Sequence, residues 1–143
     1  MKKTTGNDEI LKVTVEILFP FVIMLGFHVV INGHLSPGGG FSGGTILGAG
    51  LILYSTAFGF EKVKKFFNYK IFLRAISFSL IFYALAKGYS FTTGAAHIDS
   101  GIPLGTPGNI LSAGLILPLN IAIGIVVACT IYGLYALFSQ GDI

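Results

Sequence analysis

Four ionisable side chains lie within or next to strongly apolar stretches of the chain, where they could carry protons or cations. Glu16 and His28 belong to the first apolar stretch, His34 follows it, and Lys87 belongs to the third. A histidine exchanges its proton near a pH of about 6.5. A carboxylate or an ammonium group among apolar residues of a membrane helix commonly serves an ion path. These four residues are therefore the ion-path candidates.

Each candidate also has a simpler structural interpretation. Glu16 can form an ion pair with Lys12, which lies one helical turn earlier. His28 can be a hydrogen-bonded packing residue, and Lys87 can extend its flexible side chain to the outer membrane interface. His34 can brace the turn in which it lies. The sequence leaves both interpretations open for each residue.

Signatures of covalent catalysis and of cofactor binding are missing from the sequence. It contains no HExxH pair, no glycine–lysine phosphate loop and no supported Ser–His–Asp arrangement. Cys129 is the single cysteine, so the chain offers no CxxC pair, no intrachain disulfide and no ligand set for an iron–sulfur cluster or haem. We therefore expect a chain that is not an enzyme and that binds neither a metal nor a cofactor.

The composition is that of an integral membrane protein. Of the 143 residues, 53% are hydrophobic and only 10% are charged, with a mean hydropathy of +0.82. About a quarter of the residues in a soluble domain are charged. The deficit of charge excludes a water-soluble fold and argues against nucleic acid as a partner, although the net charge is +3.

Four apolar runs are long enough to cross a bilayer, which requires about 20 residues per helix. They cover residues 13–31, 41–60, 71–91 and 117–138. Charged residues interrupt the first run, no cleavage site follows it and three more runs come after it, so it is not a signal peptide. The sequence predicts a single all-α membrane domain over residues 1–143 with four transmembrane helices.

The positive charges predict the orientation of these helices. Lysines precede the first run, and five basic residues lie within 62–74, between the second and third runs and at the start of the third. The other two connections contain neither lysine nor arginine. Because cytoplasmic connections are rich in lysine and arginine, we expect both termini and residues 61–70 on the cytoplasmic side.

Small and helix-breaking residues indicate how the helices begin and pack. Gly40, Gly44 and Gly48 recur every four residues and so share one helix face, where another backbone can approach closely. We expect helix packing at this face and, because the helix faces leave much space to fill, neighbouring subunits around the chain. Pro118 disfavours helix at the residue before it, and a short outer or re-entrant helix is expected at 107–117.

The connection between the first two runs carries the most specific motif, Gly-His-Leu-Ser-Pro-Gly-Gly-Gly-Phe-Ser-Gly-Gly over residues 33–44. Proline disfavours helix before it and the glycines permit unusual backbone angles, so a glycine-rich hairpin is expected here. The motif closely resembles the signature of the MnhB/MrpB subunit family. The resemblance assigns six motif positions: His34, Pro37, Gly38, Gly39, Gly40 and Phe41.

This resemblance implies a small subunit of a multisubunit cation/proton antiporter (Mrp, also called Mnh or Sha) in the cytoplasmic membrane of a prokaryote. Its partners would be the other subunits and the lipid bilayer, and the complex would exchange Na⁺ for H⁺. A related module occurs in membrane-bound hydrogenases and sulfur-reducing complexes, and the sequence does not decide between these hosts. A purely structural scaffold subunit and a small transporter that acts alone are the remaining alternatives.

Overall fold

Every regular element in the computed structural model, which describes residues 6–33, 38–95 and 116–140, is an α-helix. The helices are α1 (Gly6–Ile31), α2 (Gly39–Phe58), α3 (Phe60–Phe66), α4 (Tyr69–Ala95) and α5 (Ile116–Gln140). All except the short α3 are long and apolar enough to cross a membrane. The predicted all-α architecture with four such helices is confirmed, and the chain is a multi-pass membrane protein.

Helix α2 has the length of one membrane span. Its 20 residues rise about 30 Å, which matches the thickness of a hydrocarbon core. Gly59, with φ 85°, follows its last residue and turns the chain into α3. A backbone angle in this left-handed region favours glycine because a Cβ atom would be strained there.

The start of α5 differs from the sequence expectation. Leu117 is already helical, and Pro118 occupies the third position of the described helix. Proline is tolerated in the first turn because the N–H group that it lacks would have no helical partner there. The expected short helix at 107–117 lies, except for its last two residues, outside the described residues, as do residues 34–37 of the expected hairpin.

The basic connection expected at 61–70 contains the seven-residue helix α3. Its one buried side chain is Val63, which is 2% exposed and lies between two exposed lysines, Lys62 and Lys64. The ammonium nitrogen of Lys62 lies 4.7 Å from the ring centroid of Phe58, at the end of α2. A hydropathy search for spans misses such an element, because it is only seven residues long and rich in lysine.

The four long helices pack side by side in the order α1–α2–α5–α4. Helix α2 contacts α1 and α5 through neighbouring glycine faces, α1 also touches α5 near Val30, and α4 packs on α5. Successive contacts along α2 and α5 advance in the same direction, so these two helices are parallel, whereas α1 and α4 are antiparallel to their neighbours. The two outer helices are the most open, with 17% and 11% of their spans buried, against 33% and 39% for α2 and α5.

Candidate functional site

The predicted glycine face of α2 lies against α5 of the same chain. It consists of Gly40, Gly44 and Gly48. A Cβ atom at Gly44 would lie 2.5 Å from the carbonyl oxygen of Gly124, and one at Gly40 would overlap the carbonyl oxygen of Asn120. The two backbones therefore touch, as expected for a close glycine contact, and the neighbour at this face is intramolecular.

A second glycine face of α2 lies against α1. The side chain of Val30 fills the space beside Gly43, and it also lies 3.2 Å from where a Cβ atom of Gly124 would be. Helices α1, α2 and α5 therefore meet around this one side chain, which is 5% exposed. On the same side of α2, the Leu47 side chain lies against Gly26 of α1 and does not face outward.

Asn120 is a site residue that the sequence analysis did not select. A Cβ atom at Gly33 would lie 2.9 Å from its side-chain nitrogen, and one at Gly39 would lie 3.3 Å from its side-chain oxygen. Its carboxamide thus sits between the end of α1 and the start of α2, beside both flanks of the motif connection. One feature of the sequence could have identified it: Asn120 is the only carboxamide residue in the fourth apolar run.

The described part of the motif forms the first turn of α2. Gly38 and Gly39 have φ angles of 105° and 46°, and the amide groups of Phe41 and Ser42 donate hydrogen bonds to the carbonyl oxygen of Gly38. The Phe41 side chain is 64% exposed. It therefore projects away from the chain's own helices, toward lipid or another protein. His34 and Pro37 lie outside the described residues.

The structure does not bring His28 and Lys87 together. His28 is exposed on α1, where the side-chain nitrogen of Asn32 lies 3.2 Å from His28 Nδ1. Lys87 is exposed on α4, one helical turn beyond Tyr83, which lines a cavity with Ala122 near the start of α5. Both residues lie toward the same end of the bundle, but their helices are the two outermost of the row.

Glu16 lies toward the opposite end of the bundle. The ring of Phe19, one turn further along α1, lies 5.0 Å from that of Tyr54, so Glu16 is level with the last turn of α2. Its side chain is exposed, and among the described side chains it forms no ion pair with Lys12. The structure thus places Glu16 level with the end of α2, at the end of the bundle opposite to His28 and Lys87.

Comparisons with known proteins give one family. A family model described as a domain related to the MnhB subunit of Na⁺/H⁺ antiporter matches residues 10–133. The uncharacterized protein MJ1307 of Methanocaldococcus jannaschii is 30% identical over 110 residues, which cover 73% of this chain and 42% of that protein. A protein of Staphylococcus aureus strain Newman, named as a candidate antiporter subunit (mnhB2), is 39% identical over 57 residues, 40% of each chain. The alignments thus span about two fifths of the length of these relatives.

Proposed function

The chain belongs to the family of MnhB-related domains, and from this premise we propose that it is a small, non-catalytic subunit of a multisubunit Na⁺/H⁺ antiporter-type complex. The observation that carries the proposal is the family match over residues 10–133, which begins within α1 and ends within α5. In this role the chain contributes to complex assembly and to the exchange of Na⁺ for H⁺ across the cytoplasmic membrane. Its partners are the other subunits of the complex and the bilayer.

The arrangement of the helices supports a role as a component of a larger assembly. Among the described residues, α1 packs mainly on α2 and α4 packs on α5, and both helices carry large exposed apolar residues, such as Phe21 at 64% and Phe78 at 75%. A row of four helices cannot enclose a polar path by itself. A path that uses its side chains must be completed by another protein against one of its open faces.

We assign His34 and Lys87 to the ion path at the outer end of the bundle. Lys87 supplies a fixed positive charge there, and His34 belongs to the motif connection whose flanks meet Asn120. His28 and Glu16 are exposed on α1, so they serve the path only where a neighbouring subunit covers that helix. This assignment places both termini and α3 on the cytoplasmic side, in agreement with the distribution of lysine and arginine.

A scaffold role is the second candidate, and one observation favours it. His28 and Lys87 lie on helices at opposite ends of the row, so they do not form a continuous relay within the chain. In this alternative the subunit spaces larger transport subunits, and no ion visits its side chains.

Purification of the tagged chain from its native membrane tests the proposal. The chain should migrate on a native gel as part of a large complex, in which mass spectrometry identifies antiporter-type subunits. Deletion of its gene should abolish the Na⁺-dependent pH change of inverted vesicles, and re-expression should restore it. A chain that migrates alone, or vesicles that keep the wild-type response after deletion, would refute it. Hydrogenase subunits in the complex would identify a redox-driven host.

A further inference from the structure

A cavity of about 250 Å³ opens where α3, α4 and α5 meet. Its deepest residues are apolar or aromatic and well buried: Phe72 is 8% exposed, Tyr132 6% and Ala136 5%. Its remaining walls include exposed polar residues, with Lys64 from α3 and Asn68 immediately before α4. The cavity is therefore amphipathic, with an apolar floor and a polar, cationic mouth.

The walls of this cavity are held in place by aromatic contacts. The ring of Phe67 lies edge-on to that of Phe72, with centroids 6.4 Å apart, and the ring of Phe60 stacks on Tyr135 at 5.5 Å. The carbonyl oxygen of Asn68 accepts hydrogen bonds from the amide groups of Ile71 and Phe72, which fixes the first turn of α4 beside the mouth. The cavity is thus bounded by packed rings and a helix end.

The charge around the mouth is strongly positive. Residues 60–74 contain five basic residues and one acid, Glu61, which gives this segment a net charge of +4. Lys62 is already engaged over the Phe58 ring, whereas Lys64 lines the cavity itself. The amino-terminal end of α4, where free N–H groups favour an anion, adds to the same potential.

We propose that this cavity binds an anionic phospholipid, with its phosphate at Lys64 and Asn68 and the start of an acyl chain over Phe72 and Ala136. Basic pockets between membrane helices bind anionic head groups, and an apolar floor beneath such a pocket suits the hydrocarbon that a free phosphate lacks. The volume suits one end of a lipid, since sites for whole drug-sized ligands begin near about 300 Å³. This site does not depend on the proposed function, because every group in it belongs to this chain.

Photo-crosslinking in the purified native complex tests the site. The complex is exchanged into nanodiscs with photoactivatable phosphatidylglycerol, and labelled peptides are identified by mass spectrometry. Label should appear in peptides that contain residues 60–72 and 132–136. Lys64→Gln should lower it about fivefold, the value of one lysine beside an anionic head group, whereas Lys62→Gln, which removes the same charge nearby, should change it less than about twofold.

A second pair of variants probes the floor. Ala136→Phe fills the cavity and should abolish the label, whereas Leu137→Phe enlarges an exposed neighbour on the same helix and should preserve it. Equal labelling by phosphatidylcholine, equal effects of the two lysine variants, or displacement of the label by millimolar inorganic phosphate would each overturn the proposal. Crosslinks from these residues to a neighbouring subunit in place of lipid would also overturn it.

Discussion

The Val30 side chain of α1 lies against Gly43 of α2 and Gly124 of α5, so it fills the junction of these three helices. A Cβ atom at Gly43 would overlap one of its methyl groups, and a Cβ atom at Gly124 would lie in tight contact with it, at 3.2 Å. In a bilayer, apolar side chains gain little by leaving lipid for protein, so close packing of this kind supplies much of the association between helices. The junction is therefore sensitive to the addition of single carbon atoms.

Gly44→Leu should separate α2 from α5. The first added carbon would already lie 2.5 Å from the carbonyl oxygen of Gly124, and overpacking of this kind costs about 1–3 kcal/mol or more. We expect less intact complex and a lower midpoint of thermal aggregation in detergent, measured by size-exclusion chromatography after heating. Ala49→Leu, at an exposed position of the same helix, is the control and should behave as wild type. Equal stability of the two variants would contradict the α2–α5 contact.

His34→Ala should reduce the Na⁺-dependent pH change in inverted vesicles or alter its pH dependence while the complex stays assembled. A histidine that exchanges protons gains its charge as the pH falls through about 6.5, and alanine removes this transition. Lys87→Ala should be more damaging than Lys87→Arg, because arginine keeps the positive charge. Rates are normalised to complex content on a native gel. Wild-type rates and pH profiles in both alanine variants would favour the scaffold role.

At the scale of the elements, α3 contains one fully buried side chain, Val63. Val63→Ser removes the most deeply buried apolar side chain of the helix, worth about 1.5–3 kcal/mol for a buried valine, so α3 should detach more often from the bundle. Cleavage by a glutamate-specific protease after Glu61 should then be about tenfold faster, because cleavage follows the population of the open state. Lys65→Ser, an exposed change in the same helix, should leave the rate unchanged. Equal rates for the two variants would show that Val63 does not anchor α3.

The four long helices were predictable because a bilayer imposes a length and an apolar composition on each of them. The face formed by Gly40, Gly44 and Gly48 was also predictable from its spacing, but the helix that covers it was not. A stripe of small residues fits lipid-embedded partners of any origin, so the sequence could not distinguish α5 from another subunit. The sequence did not identify Asn120 as a site residue for a related reason. Its position between Gly33 and Gly39 exists only when the ends of α1, α2 and α5 are brought together in the fold.

At the scale of the whole molecule, the helix order predicts which cysteine pairs can be crosslinked. The hydroxyl oxygens of Thr56 and Tyr135 lie 3.0 Å apart, so cysteines at these positions should react within one chain with a short bismaleimide. Cysteines at Met24 and Phe78, two exposed positions on the non-adjacent helices α1 and α4, should not react with each other. The cysteine pairs are introduced in a Cys129→Ser background. Crosslinking is carried out in membranes, and an intrachain crosslink is detected as a change in the gel mobility of the single chain. An efficient intrachain crosslink between positions 24 and 78 would contradict the row.

Labelling from the two sides of the membrane tests the orientation. Single cysteines at Ser36 and at Lys65, again without Cys129, should react with an impermeant maleimide from opposite sides, position 36 from outside and position 65 from the cytoplasm. The reason is the excess of lysine and arginine around α3. Labelling of both positions from outside would show that the orientation is wrong.

A chain that ends before residue 116 leaves α4 without the helix on which it packs and leaves α2 packed on α1 alone, because α5 lies between α2 and α4. The glycine face of α2 is then exposed to lipid or to a membrane protease. Helix α4 then lacks the helix of its own chain on which it packs. The four-helix bundle can therefore assemble only after α5 has been synthesised and inserted. Nonsense mutations anywhere upstream of α5 should act as complete null alleles, even where three of the four spans have been translated and inserted.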